Sequence, residues 1–409
     1  MKLRKLIGLL IILFAFTACG SKDDPVPEGG KTSPLTVEEQ KAKMETAANE
    51  LMSDLQASNV QNVIDIADYA DETYNADNYD CDGVGKWWSD CLDAITKFNS
   101  SDTYTKTFTR LYAASNFTGH FKVNTATKKW DYTPASDLEF IFPDKQGKEC
   151  TAILTTSGNT KKVYMGESVE YINWREDDFY KNYVNVPEGI KVAFIQEGTT
   201  IAMMDLSTNL SDMLSDNFDL AKDSYSASCK LMVNDFTFEV KKAAYSPTLA
   251  SVALSVLKGD KYLLSMVVAA KGAVTNEFTE VGIANINMDI LGEIQIKGTC
   301  SNCSKYGDYI NAAGDNDNNE ATFKSDISQA NSILDLGLYY NSETRQASIA
   351  LEPFENEDRY EKYWYCEPVL KFDDGTSYST FEAFFDKTSF KEVIDNFNKL
   401  IGDYQAMID

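Results

Sequence analysis

From Phe117 onward, short runs of alternating apolar and polar residues are separated by Gly, Asn and Asp turn residues. This alternation constrains the fold most, because a period of two places every second side chain on one face of a strand. The spacing predicts strands at 118–123, 130–134, 138–142, 150–156, 161–164, 190–196, 200–206, 227–233 and 237–242. Asp144-Lys145-Gln146-Gly147 and Ser157-Gly158-Asn159 supply turns. Many short strands joined this way predict antiparallel pairing.

The segment 249–270 reads as a hairpin with no charge on either face. Val252, Leu254 and Val256 alternate with Ser251, Ala253 and Ser255. Tyr262, Leu264, Met266 and Val268 alternate with Leu263, Ser265, Val267 and Ala269. A hairpin open to water on one side carries polar residues there. Both faces are therefore expected to be covered, by a second protein layer or by an apolar ligand. Further strands are expected at 285–297, 336–340, 347–352 and 369–372, with a helix over 323–334 and a turn at Asp373-Asp374-Gly375.

Helical spacing flanks this region. Thr36-Val37-Glu38-Glu39 is a capping box, followed by Met44, Ala47, Ala48, Leu51 and Leu55 on one stripe. A second cap at Ser58-Asn59-Val60-Gln61 precedes Val63, Ile64 and Ala67. Another helix is expected within Cys81–Phe98, which bears Trp87 and Trp88. At the end of the chain Ser389-Phe390-Lys391-Glu392 opens an amphipathic stripe from Phe390 to Ile408. The expected fold class is α+β: N-terminal helices, a large antiparallel sheet region, and a C-terminal amphipathic helix docked on the core. The segments are 36–116 mainly helical, 117–300 antiparallel β, and 301–409 mixed α/β ending in a helix; 36–409 is compatible with one domain.

The first residues describe delivery. Lys2, Arg4 and Lys5 precede the apolar run Leu6–Phe16, which is shorter than the roughly 20 residues that span a bilayer. Phe16-Thr17-Ala18-Cys19 follows. This resembles a bacterial lipobox, with Phe where Leu is usual. The resemblance implies a signal peptide over 1–18 and lipid attachment at Cys19 (diacylation of the thiol and acylation of the new amino terminus). Lys22-Asp23-Asp24 is similar to the export signal of surface lipoproteins in the Bacteroidetes. It implies an outer-membrane location facing the outside. Residues 19–35, rich in Pro, Gly and charge, read as a flexible tether reaching about 50 Å. No later segment is long and apolar enough to span a membrane. The body beyond the tether matches no characterised family.

Charge and chemistry narrow the function by exclusion. The chain carries 38 Lys and Arg against 63 Asp and Glu, a net −25. Loss of residues 1–18 removes three of the 38 cations and leaves −28. Such a surface repels nucleic-acid phosphates and anionic membranes. His120 is the single histidine, which argues against His-dependent hydrolases and His-rich metal sites. Its setting, Phe117 to Val123, is strand-like. Asp315 to Glu320 has the acidity of a calcium loop but lacks the Gly at position six and has Asp326 at position twelve; it reads as a polar loop. No cofactor and no metal are expected.

Seven cysteines follow Cys19, an odd number that leaves at least one thiol unpaired within the chain. Cys81 with Cys91, and Cys300 with Cys303 in a C-x-x-C, are candidate disulfides in an exported protein. Tyr360, Tyr363, Trp364 and Tyr365 form a candidate aromatic binding patch, equally readable as buried strand aromatics. The leading functional reading is a non-enzymatic, membrane-anchored binder of a glycan, an apolar ligand or a protein partner. A structural or adhesive envelope component is the alternative. A glycan hydrolase using two carboxylates about 5–10 Å apart is the third.

Overall fold

The protein is seen in a computed structural model. It describes residues 35–75, 78–79, 115, 117–173, 176–209, 221–275, 279–340, 344–357, 362–372, 378–380, 395–396, 398–399 and 402. Sixteen strands and four α-helices, α1 (Val37–Asp54), α2 (Gln61–Tyr74), α3 (Cys303–Asp315) and α4 (Glu320–Ser332), lie among them. The expected α+β class is therefore corrected: the protein is mostly β, with a few short helices. The alternating pattern persists further than its local breaks suggest. Ser157-Gly158-Asn159, expected to be a turn, is a bulge inside one 25-residue strand. Gly158 adopts φ 74°, and a Cβ there would collide with the Glu188 side chain opposite, so only glycine fits without strain.

The chain divides into two compact units. The first comprises residues 57–219 and 223–239. Its strands are β1 (Gly119–Asn124), β2 (Lys129–Thr133), β3 (Leu138–Pro143), β4 (Glu149–Asn173), β5 (Glu176–Gln196), β6 (Thr199–Asn209) and β7 (Tyr225–Val233), in the order β7-β6-β5-β4-β3-β1-β2. β1 and β3 run parallel; the other described pairs are antiparallel. Register lines up apolar residues across the strands. Leu138, Leu154, Val192, Met204 and Leu231 form one row, and Phe140, Ala152, Phe194, Ala202 and Val233 the next. α2 lays Val63, Ile66, Ala67, Ala70 and Tyr74 on this face.

Tyr74 ties helix to sheet. Its ring meets Tyr79, Trp130 and Phe142, its hydroxyl donates to the Pro143 carbonyl at 2.9 Å, and its own carbonyl accepts from Trp130 Nε1 at 3.3 Å. Burial pushes the hydroxyl's pKa well above its ordinary value. The turns are chemically specified. Asp144 Oδ1 accepts from Gln146 and Lys148 amides, as an Asx turn requires. Glu197 and Gly198, at φ 48° and 81°, make the two-residue hairpin between β5 and β6.

The second unit contains residues 35–56 and 240–402 among its described parts. The boundary between units falls inside β8 (Phe236–Ser246). Beyond it come β9 (Leu249–Lys258), β10 (Lys261–Val274), β11 (Thr279–Ile290), β12 (Ile294–Cys300), β13 (Leu334–Tyr340), β14 (Thr344–Glu357), β15 (Lys362–Phe372) and β16 (Tyr378–Thr380). They form an antiparallel meander in sequence order. One face is an apolar ladder: Leu254, Met266, Met288, Ile296, Leu338, Ala347 and Phe372 share a row. α1 covers part of it through Ala47 and Met44. Its capping box is present, with Thr36 and Glu39 bonding each other's amides. The Tyr340 hydroxyl donates to the Gln40 carbonyl at 3.3 Å near one end of the helix. At the other end Lys261 bonds Glu50 and Asp54 at 2.6 and 2.7 Å, and Lys258 reaches Asp54 at 3.3 Å.

α3 and α4 are a helical hairpin inserted between β12 and β13. They cover the same face further along β14 and β15, through Ala313, Phe323, Ile327, Leu351, Trp364 and Cys366. The hairpin 249–270 forms as expected, but its two faces differ. Val252, Leu254, Leu264, Met266 and Val268 belong to a core cluster. On the other face Ser255 and Ala269 are buried while Val267 is 42% exposed. The closing helix falls almost entirely outside the described residues; Asp395, Asn396, Asn398, Lys399 and Gly402 are helical and exposed, and Asn396 bonds Asn49. The stretch Cys81–Phe98 and the turn at 373–375 also lie outside.

Two outcomes test this packing. Tyr74→Phe removes one buried hydrogen bond and should cost about 1 kcal/mol in urea unfolding, whereas Tyr74→Ala should cost about 3–5 kcal/mol. Equal costs would show that the ring contributes nothing beyond its hydroxyl. The bonds from Lys261, then Lys258, hold the Asp54 carboxyl below its ordinary range. A lowered carboxylate contributes stability above its unfolded value of about 3.9, lost as pH falls through the folded value. The unfolding midpoints of wild type and Asp54→Asn should differ modestly at pH 7, by less than about 1 kcal/mol for so exposed a pair, and converge once the pH has fallen below the folded carboxyl's lowered value.

Candidate aromatic face and thiol cluster

β14 and β15 run on past their neighbours. β13 pairs with β14 only through Thr344 to Ile349, and β16 pairs with β15 only through Val369 to Lys371. Residues 351–357 and 362–368 are thus a two-stranded ribbon among the described pairs. The helical hairpin backs it. Asn331 bonds the Leu351 amide and carbonyl at 2.8 and 2.7 Å. The outer edge of β15 is met at Trp364, whose amide donates to the Asp317 carbonyl at 2.6 Å. The calcium-like stretch Asp315 to Glu320 spans the end of α3, the four-residue connection 316–319 and the start of α4, with Asn319 capping α4.

Strand alternation sorts the four candidate aromatics. Trp364 points to the helices, where it meets Phe323 and carries the Lys324 ammonium 4.3 Å from its ring centroid. Tyr363 and Tyr365 point the other way, 36% and 37% exposed. Tyr360 lies outside the described residues. The sequence reading missed Phe354, which register places opposite Tyr365 on the same face. The ring centroids are 5.8 Å apart for Phe354–Tyr365 and 6.5 Å for Tyr363–Tyr365. Asn356, opposite Tyr363, donates to its hydroxyl. Glu352 and Glu367 pair next along this face, and Lys371 bonds Glu352 at 2.6 Å. Three partly exposed rings bordered by amide and carboxylate groups can stack on an apolar ring face and bond hydroxyls at its rim.

The remaining candidates lie apart. His120 sits on β1 with Nε2 2.8 Å from Asp137 and 3.2 Å from Glu139. The bond from His120 holds the Asp137 carboxyl low. Among the described residues no group of His, Cys, Asp and Glu has the geometry of a metal site, and no helix is long and apolar enough to cross a membrane. Cys19, Lys22, Asp23, Asp24, Cys81 and Cys91 lie outside the described residues.

The five described cysteines stand as thiols. Cys150 is in the first unit's core, and burial, then Asp144, pushes it up to about 12. Burial also raises Cys229 and Cys366. Cys300 and Cys303 are not bridged, but the Cys303 thiol bonds Cys300 and draws it down to about 7. Compared with known proteins, the chain matches no family, no curated protein and no solved structure.

Proposed function

We propose that this chain is a lipid-anchored lipoprotein of the outer membrane, facing outward, that binds a neutral glycan on the face formed by Phe354, Tyr363 and Tyr365. The observation that carries the reading is the division of the aromatic cluster. Trp364 serves the core, while three rings on the opposite face remain partly open beside Asn356, Glu352 and Glu367. A sugar offers a weakly polar face of C–H groups to such rings and hydroxyls to the neighbouring acceptors. The net charge suits a neutral ligand and disfavours an anionic one. The Cys19 lipobox and the Lys22-Asp23-Asp24 signal support delivery to the surface.

Binding to a panel of immobilised neutral glycans measures the first half. Tyr365→Ala and Tyr363→Ala should each weaken binding about tenfold, the effect of losing roughly 1.4 kcal/mol of stacking, with the unfolding midpoint unchanged. Trp364→Ala should lower the midpoint. Absence of binding across the panel would leave a structural envelope component as the better reading.

Delivery has its own readout. Cys19→Ser should abolish incorporation of labelled fatty acid and release the protein from the membrane fraction. Protease added to intact cells should degrade the wild-type chain; protection until the outer membrane is opened would place the anchor on the inner side.

A further inference from the structure

The junction of β12 and α3 carries two thiols three residues apart. β12 ends at Cys300, and register puts Cys300 on the helix-covered face with Gly298 and Ile296. Two residues later the helix starts. Ser301 is held by a bond from its amide to the Ile333 carbonyl at 2.8 Å. Asn302 caps the helix by accepting from the Lys305 amide at 2.9 Å. Cys303 is the first residue of α3. With both links of the connection fixed, Cys300 at the strand end and Cys303 at the helix start flank a two-residue bridge, and hydrogen bonding from Cys303 draws the Cys300 thiol down.

Cys366 on β15 and the Tyr306 hydroxyl of α3 complete the cluster. Burial, then the neighbouring Cys366, Cys300 and Cys303, pushes Tyr306 up to about 12. The members are not equivalent. Cys366 is pushed up by burial, which keeps it a thiol. Cys300 is drawn down by the Cys303 bond to about 7, against about 8.5 for an ordinary cysteine. The thiolate is the attacking form, and Cys303 is adjacent to receive the bond.

We propose that Cys300 and Cys303 form a reversible redox pair that exchanges with an external disulfide, on a protein or a small thiol. The Cys300 thiolate attacks one sulfur of that disulfide, forming a mixed disulfide and expelling the other sulfur. The Cys303 sulfur then attacks Cys300, closes the Cys300–Cys303 bond and expels the second sulfur. The pair loses two electrons and two protons, and the external disulfide leaves as two thiols. The four-residue ring so formed fastens the first turn of α3 to the end of β12. Reduction by a dithiol reverses each step. Cys366 takes no part.

The test equilibrates the full chain in glutathione buffers of graded ratio, traps thiols by acid and alkylation, and maps disulfides by peptide mass spectrometry. A single two-electron transition joining Cys300 to Cys303 is expected, reversed by dithiothreitol and unmoved by Cys366→Ser. In Cys303→Ser the mixed disulfide of Cys300 with glutathione should accumulate. Alkylation of reduced wild type at Cys300 should reach half its maximal rate near pH 7, and the profile should move upward in Cys303→Ala, which removes the donor that lowers it. Two thiols alkylated at every ratio in a folded chain, or a bridge joining Cys366 instead, would overturn the proposal. A Cys300 profile centred near 8.5 would do the same.

Discussion

One-sided helix packing is the constraint on which the rest depends. In each unit a strand array carries a continuous apolar row set, and helices cover that face: α2 in the first, α1, α3 and α4 in the second. An apolar face of this width is unstable against water, since each buried square ångström contributes about 25 cal/mol. The covered face therefore tolerates no charge, while the opposite face is free to carry polar and ionisable side chains. In the second unit the opposite rows include Asn285, Asn287, Asp289, Lys297 and Lys371. The aromatic face continues these opposite rows, on which Ser255, Ala269 and Gln295 are nonetheless buried.

The same constraint gives the helical hairpin two roles. α3 and α4 bury Phe323 and Ile327 against Leu351 and Trp364, which stiffens a ribbon with few neighbouring strands. A stiff ribbon fixes Phe354, Tyr363 and Tyr365 relative to one another, so that the glycan proposed above would meet preorganised rings that lose little freedom. The hairpin's first residue is also Cys303, so the thiol pair lies at the point where the ribbon's support is fixed to the sheet.

Local chemistry made several elements legible. The Thr36–Glu39 capping box, the Asp144 turn and the hairpin at 249–270 each specify their backbone within a few residues, and each is present. The strand share exceeds the expectation because a local turn signature does not report pairing across the sheet. Ser157-Gly158-Asn159 reads as a strand end, yet cross-strand partners continue through it and absorb the extra residues as a bulge. The aromatic cluster was legible only as a cluster. Alternation alone separates Trp364 from Tyr363 and Tyr365, but no local pattern links them to Phe354.

By itself the sequence determined the strand alternation, the Thr36 capping box and the excess of acid. These are properties of neighbours along the chain, where spacing and side-chain type are sufficient. The tertiary structure alone decided which face of each strand the helices cover, that Phe354 stands opposite Tyr365, and that Cys300, Cys303 and Cys366 all come close enough to Tyr306 to act on its hydroxyl. Those outcomes depend on pairing register between distant segments. A one-residue slip would exchange the faces and turn Trp364 outward in place of the two tyrosines.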